Sequence, residues 1–173
     1  MLLKIIDAAA DILVSGGLTD WTVERVARRA GCAKGLVHYH HSSKSELLAR
    51  VAERIAQRRH KRRLDALAVG GPPSIDRLWI DISDEVKSGE SAAWLALLSL
   101  PDPRVRESTS VRTDEVEALG RAAVEAFGIE GTVAEVGRLL ETVTNGTQVA
   151  LVRGDDRALV QEAYHRFWLG LLA

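Results

Sequence analysis

Lys34, His38 and Tyr39 fall within a few residues of one another, preceded by Thr22 and followed by Lys44. A cation, an imidazole, a phenol and a hydroxyl at such close spacing suit the binding of phosphates and base edges. Lys34 can reach a phosphate or a guanine edge, His38 and Tyr39 can bond phosphate oxygens or stack on sugars, and Leu36 can meet a thymine methyl. Small Ala33 and Gly35 let the segment sit close to a groove floor. Thr22 stands where a helix begins, and its hydroxyl and the free N–H groups there suit a phosphate.

To act together, these residues need a helix, a sharp turn and a second helix. Val23, Val26, Ala27 and Ala30 recur at helical spacing and make one apolar face, with Arg25, Arg28 and Arg29 largely outside it. Gly31 stops that helix, because a left-handed residue is cheapest as glycine, and the turn lets Ala33 to His40 start again at a steep angle with Val37 pointing inward. Ser43 with Glu46 predicts a capping box launching a long helix through Leu47, Leu48, Val51 and Ile55 towards Leu67. This is the layout of a helix-turn-helix DNA reader, whose second helix carries the readout.

Ile5-Ile6-Asp7-Ala8-Ala9, Gly17, Thr22-Val23-x-x-Val26-Ala27, Ala30-Gly31, Lys34-Gly35 and Ser43-Lys44-x-Glu46-Leu47-Leu48 follow in that order. Over about residues 3–50 the pattern resembles the DNA-binding domain of the tetracycline-repressor (TetR) family of bacterial regulators. The resemblance implies duplex contacts from Thr22, Ala33, Lys34, Gly35, Leu36, His38 and Tyr39, with Lys44 on a phosphate. It also implies an all-α chain of about nine helices that binds a double-stranded DNA operator as a homodimer and answers to a small-molecule effector.

The charge is divided to match. Residues 1–63 hold 13 Lys and Arg against 6 Asp and Glu, a balance of +7, while residues 64–173 hold 10 against 18, a balance of −8. A basic head on an acidic body suggests two jobs. The expected division is residues 1–48 as the reading domain, 49–70 as a connecting helix and 71–173 as a helical regulatory and dimerisation domain. Part of the head's charge is the run Arg54, Arg58, Arg59, His60, Lys61, Arg62 and Arg63, expected as a solvated face that adds general attraction to DNA.

Beyond the reader, no alternating strand pattern appears, and Gly and Pro punctuate the remainder into helices at Ser74–Lys87, Ser91–Leu100, Arg104–Phe127, Thr132–Arg153 and Asp156–Leu172, after a first helix at Leu2–Val14. A single cysteine rules out an intrachain disulfide framework. The apolar run at Met1–Ile6 is too short for a signal peptide, and no run is long enough to span a membrane, so a cytoplasmic location is expected. His38, His40 and His41 invite a metal site, but no cysteine or carboxylate lies beside them to complete a shell, and none is assigned.

The C-terminal body carries no phosphate loop, nucleophile elbow or zinc motif, so an enzyme has no residues to rest on and no cofactor is expected. Trp79, Trp94 and Phe127 read either as plain core or, as the resemblance favours, as walls of an effector cavity. Thr142, Thr144, Asn145, Thr147 and Gln148 bring polarity into one helix, for a ligand or for a partner subunit; Thr142 and Asn145 are the ligand candidates. The last two helices resemble the pair that forms the family's dimer seam, with Val143, Gly146, Val149, Ala150, Leu169 and Leu172 at the contact. The expected function is a ligand-responsive repressor on a palindromic operator. The alternatives are a regulator controlled by a protein partner, or an enzyme or ligand carrier with a vestigial head.

Overall fold

Ten helices and no strand make up the described residues, 1–172, of the computed structural model: α1 (Leu2–Asp20), α2 (Val23–Ala30), α3 (Lys34–His40), α4 (Lys44–Leu67), α5 (Pro73–Ser88), α6 (Glu90–Leu98), α7 (Pro103–Thr109), α8 (Thr113–Phe127), α9 (Val133–Arg153) and α10 (Arg157–Leu172). The all-α class is as expected. The extra helix arises because Arg104–Phe127 is two elements. Asp102 caps α7 by accepting from the N–H groups of Arg104 (2.9 Å) and Val105 (3.3 Å), Pro103 takes its first position, and the chain then runs extended through Ser110 and Arg112 before α8. Likewise α1 outruns its expected end at Val14, and Gly17 interrupts it at φ 65°, ψ −170°.

The chain forms two units, divided differently from the sequence expectation. The first is residues 1–58 with 88–110, and the second is residues 59–87 with those from 111 onward. The helix α4 therefore contributes to both, and α6 and α7 belong with the reader.

In the first unit, Ile5, Ala9 and Leu13 of α1, Val26 of α2, Val37 of α3, and Leu47, Val51 and Ile55 of α4 share one core with Trp94, Leu97 and Val105. Trp21 is buried among them and its indole N–H donates to the Ala9 carbonyl at 2.9 Å. Trp21 and Val26 stand one residue before and four after the Thr22 cap, the positions of a hydrophobic staple that fixes how the chain enters α2.

The second unit buries Leu67, Ile75, Leu78, Trp79, Ile82, Leu119, Leu140, Tyr164 and Trp168. Here α8 and α9 pack so closely that side chains are excluded at the crossing: a Cβ on Gly120 would lie 1.8 Å from the Val133 carbonyl oxygen, and one on Gly137 would lie 2.1 Å from that of Val116. Gly146, expected at a seam between subunits, has no atom of its own chain within 4 Å of where its Cβ would stand.

The basic run on α4 is not a solvated face. Arg54 and Arg58 both bond Asp7 in the first unit, at 3.0 and 2.6 Å. In the second unit Arg59 and Arg63 are 3% and 8% exposed. Arg62 donates to Glu85 at 2.8 and 3.2 Å, Arg59 lies 3.7 Å from the same carboxylate and 2.5 Å from Gln148 Oε1, and Arg63 reaches Asn145 Oδ1 at 3.0 Å. Gln148 closes the network by donating to Glu85. The reason is geometric: six consecutive basic residues, 58–63, take up more than one and a half turns and go round the whole helix, so some must face the core. Buried guanidinium groups are tolerable only when paired.

Two substitutions test these contacts. Gly137→Ala forces α8 and α9 apart and is expected to cost about 1–3 kcal/mol in urea unfolding. Glu85→Gln leaves Arg59 and Arg62 without their carboxylate and is expected to cost about 3–5 kcal/mol. Unchanged midpoints would show that neither contact holds the second unit together.

Candidate nucleic-acid interface

The α2–α3 pair is built from local rules. Thr22 caps α2, its hydroxyl oxygen accepting from the Arg25 N–H at 3.2 Å. At the other end Gly31 sits in the left-handed region (φ 67°, ψ 38°), the Gly31 N–H donates to the Arg28 carbonyl (3.2 Å), and the Cys32 N–H reaches over it to the Ala27 carbonyl (3.0 Å). That is the Schellman closure of a helix end, and it turns the chain into α3 within three residues.

Within α3 only Val37 is buried. Ala33, Lys34, Gly35, His38 and Tyr39 are exposed and Leu36 is half-buried. Tyr39 is 83% exposed, very high for a large ring, and the ring of His40 stands edge-on to it at 5.3 Å. At Ala33 and Gly35 the backbone itself is accessible; a Cβ on Gly35 would meet nothing within 4 Å. Among the described residues Lys34 makes no ion pair, whereas Arg25, Arg28 and Arg29 are matched by Asp20 (3.0 Å), Glu24 (3.8 Å) and Asp11 (3.1 Å). Those pairs are solvent-exposed and individually weak, so they yield easily to a phosphate.

Lys44 opens α4 with its ammonium 5.4 Å from the centre of the Trp21 ring. The indole thus both plugs the core and steers the lysine, a dual role its sequence position beside Thr22 signals only through the staple pattern. The cap of α4 differs from the expected box by one residue. Ser43 accepts from the Glu46 N–H at 3.1 Å, but the Glu46 carboxylate turns back to Ser42, accepting from its N–H (2.9 Å) and hydroxyl (2.6 Å). Those two bonds hold the Glu46 carboxyl below the usual range. Thr22, Lys34, His38, Tyr39 and Lys44 therefore all stand exposed within the same unit.

The candidates in the body are dispersed. Trp79 is buried 5.5 Å from the Tyr164 ring, and Phe127 packs at 5.2 Å on Trp168, both in the second unit. Trp94 belongs to the first unit's core, so the three rings do not line one cluster. Thr142 is exposed and donates to the Arg138 carbonyl at 2.8 Å. Thr144 and Thr147 bond their own helix, as Thr142 does, while Asn145 and Gln148 receive the α4 arginines and belong to the buried network. No group of three His, Cys, Asp or Glu able to hold a metal occurs among the described residues, and no helix there is long and apolar enough to cross a membrane.

Residues 5–51 match the model of bacterial regulatory proteins of the tetR family. The chain is 34% identical over 99 residues to the HTH-type transcriptional regulator SrpR of Pseudomonas putida, covering 55% of this chain and 44% of that one. It shares the same identity over 99 residues with the uncharacterised HTH-type transcriptional regulator TtgW, also of Pseudomonas putida, covering 55% of this chain and 69% of that one. The chain thus spans less than half the length of SrpR. In fold it is similar to a transcriptional regulator from Rhodococcus sp. Rha1, at a TM-score of 0.68 and 22% identity over 99% of this chain and 97% of the other.

Exposed side chains can be removed with little loss of stability, within about 0.5 kcal/mol. Lys34→Ala and Tyr39→Ala are therefore expected to leave unfolding unchanged while altering which duplexes are enriched from a random pool, and Lys44→Ala to weaken binding to all of them alike. Identical enrichment profiles for the three variants would show that α3 is not the reading element.

Proposed function

Because the chain belongs to the tetR family of bacterial regulatory proteins, we propose that it is a ligand-responsive transcriptional repressor that binds a palindromic operator as a homodimer. The observation that carries this reading is the face of α3, with Lys34 outside any ion pair among the described residues and Tyr39 almost fully exposed beside two small residues. An aromatic ring held in water on a helix as short as α3 adds nothing to the core, and it suits a sugar-phosphate edge.

Dimerisation is assigned to α9 and α10. Val149 and Leu169 are 43% and 66% exposed, Gly146 is open, and Val143, Ala150 and Leu172 are half-buried beside them in sequence. Small and apolar residues on adjoining turns suit close packing of a two-fold pair of helices, and two-fold heads read two-fold half-sites. The effector is assigned to the second unit, where Trp79, Phe127, Thr142 and Asn145 are its candidate contacts; Trp94 is set aside because it lies in the other unit's core. Effector binding favours a spacing of the two heads that no longer matches successive major grooves, which releases the operator. Solution in the cytoplasm is the setting this function requires.

The test is selection from random duplexes followed by gel shift across a salt series. A palindromic consensus is expected, with affinity falling steeply as salt rises because phosphate neutralisation releases counterions, and with specific Kd values of about 10⁻⁸–10⁻¹¹ M at physiological salt. Failure to enrich any sequence, or binding insensitive to salt, would overturn the reading. Gly146→Arg places a charge in the proposed seam and is expected to sediment as a monomer with most operator affinity lost. A dimer of unchanged affinity would move the seam elsewhere.

A further inference from the structure

The first unit contains a cleft of about 410 Å³ between the start of α1, the end of α3 and the first turns of α4. That volume lies in the range of small-molecule sites, about 300–1,000 Å³. One wall is apolar, made by Leu2, Leu3 and Ile6, and Leu3 is 64% exposed. The other wall is polar, and its charges are already matched. Arg50 bonds Glu53 at 2.9 Å, Arg54 bonds Asp7 at 3.0 Å, and Glu46 is held by Ser42.

One polar group is left over. His41, the residue that ends α3, lines the cleft and is only 4% exposed, and neither ring nitrogen has a hydrogen-bond partner. A buried imidazole with both nitrogens unmet is a costly arrangement, of the order of 1–3 kcal/mol per group, and such exceptions call for an explanation. The groups facing it are Glu46 and Arg50 of α4 and His40 of α3; burial, reinforced by His40 and Arg50, outweighs Glu46 and pushes the His41 imidazole below its usual pKa, favouring the neutral form. A neutral imidazole offers one donor and one acceptor. Its complement is an uncharged group that can accept and donate, since an ionic ligand would have to break the existing pairs.

We propose that this cleft binds a small uncharged amphiphile, an apolar body bearing one hydroxyl or primary amide, with the body on Leu2, Leu3 and Ile6 and the polar end at His41. The site lies wholly in the first unit, touching the last residue of the proposed reading helix, and it is independent of the effector assigned to the second unit.

The experiment is a titration of the full chain, labelled at the histidine ring nitrogens and the leucine and isoleucine methyls, with benzyl alcohol, toluene, benzoate and benzylammonium. Benzyl alcohol is expected to shift the His41 nitrogens and Leu3 methyls saturably and to bind at least about fivefold tighter than the other three, the worth of one added hydrogen bond. In His41→Phe the alcohol should bind no better than toluene. Leu3→Ser, at an exposed position that leaves the core intact, should weaken alcohol and toluene together. Saturation without a shift at His41, equal affinities for alcohol and toluene in the unaltered chain, or no saturation at all would overturn the proposal.

Discussion

A helix of seven residues does not persist in water by itself, because the cost of nucleating it is spread over too few hydrogen bonds. The helix α3 is that short and buries one side chain, Val37. Its position therefore depends on the seat beneath it, and the rest of the first unit is organised to make that seat. Gly31 sets the angle of entry, Trp21 is tied to the α1 backbone through the Ala9 carbonyl, and Leu47 and Leu48 of α4 close the core from the far side. Because Val37 takes the inward position, His38 and Tyr39 are turned outward, while Lys34 is exposed as the first residue of the helix. The same seat explains why α6 and α7 join this unit: Trp94, Leu97 and Val105 complete a core that three short helices could not close.

The basic residues divide between two uses. Arg59, Arg62 and Arg63 of α4 go into the second unit, where Glu85, Gln148 and Asn145 receive them, and burial there holds the Arg63 guanidinium below its usual pKa. The net excess of positive charge in the N-terminal half thus overstates what faces solvent. The cations left to meet a polyanion are the few on and beside α3, which places the burden of recognition on geometry more than on overall charge.

What was legible in the sequence was what local rules determine. The Thr22 cap, the Gly31 turn, the inward Val37 and the outward Lys34 and Tyr39 all follow from spacing within one or two helical turns. What was not legible depends on partners distant in the chain. Nothing near Arg59 or Arg63 says that Glu85 and α9 will enclose them, and nothing near Trp94 says that it will pack with α1. The break between α7 and α8 carries neither glycine nor proline; the Asp102-Pro103 start of α7 was visible, but its early end was not. Nothing in the sequence sets Gly120 and Gly137 apart, yet they mark the crossing of α8 and α9, while Gly146, expected at a seam between subunits, stands open within its own chain. The Ser43–Glu46 box was right in kind and off by one residue, since Ser42 offers the carboxylate both its N–H and its hydroxyl.

The central claim is that the duplex-facing surface is α3 with the starts of α2 and α4, not the basic stretch later in α4. Amide hydrogen exchange of the chain with and without a duplex taken from selection measures this directly, since bound DNA slows exchange where it covers or stiffens the backbone. Protection concentrated at residues 22–25, 33–40 and 43–46, with residues 58–63 unchanged, is the predicted result. Protection centred on residues 58–63, or spread evenly over both units, would contradict it.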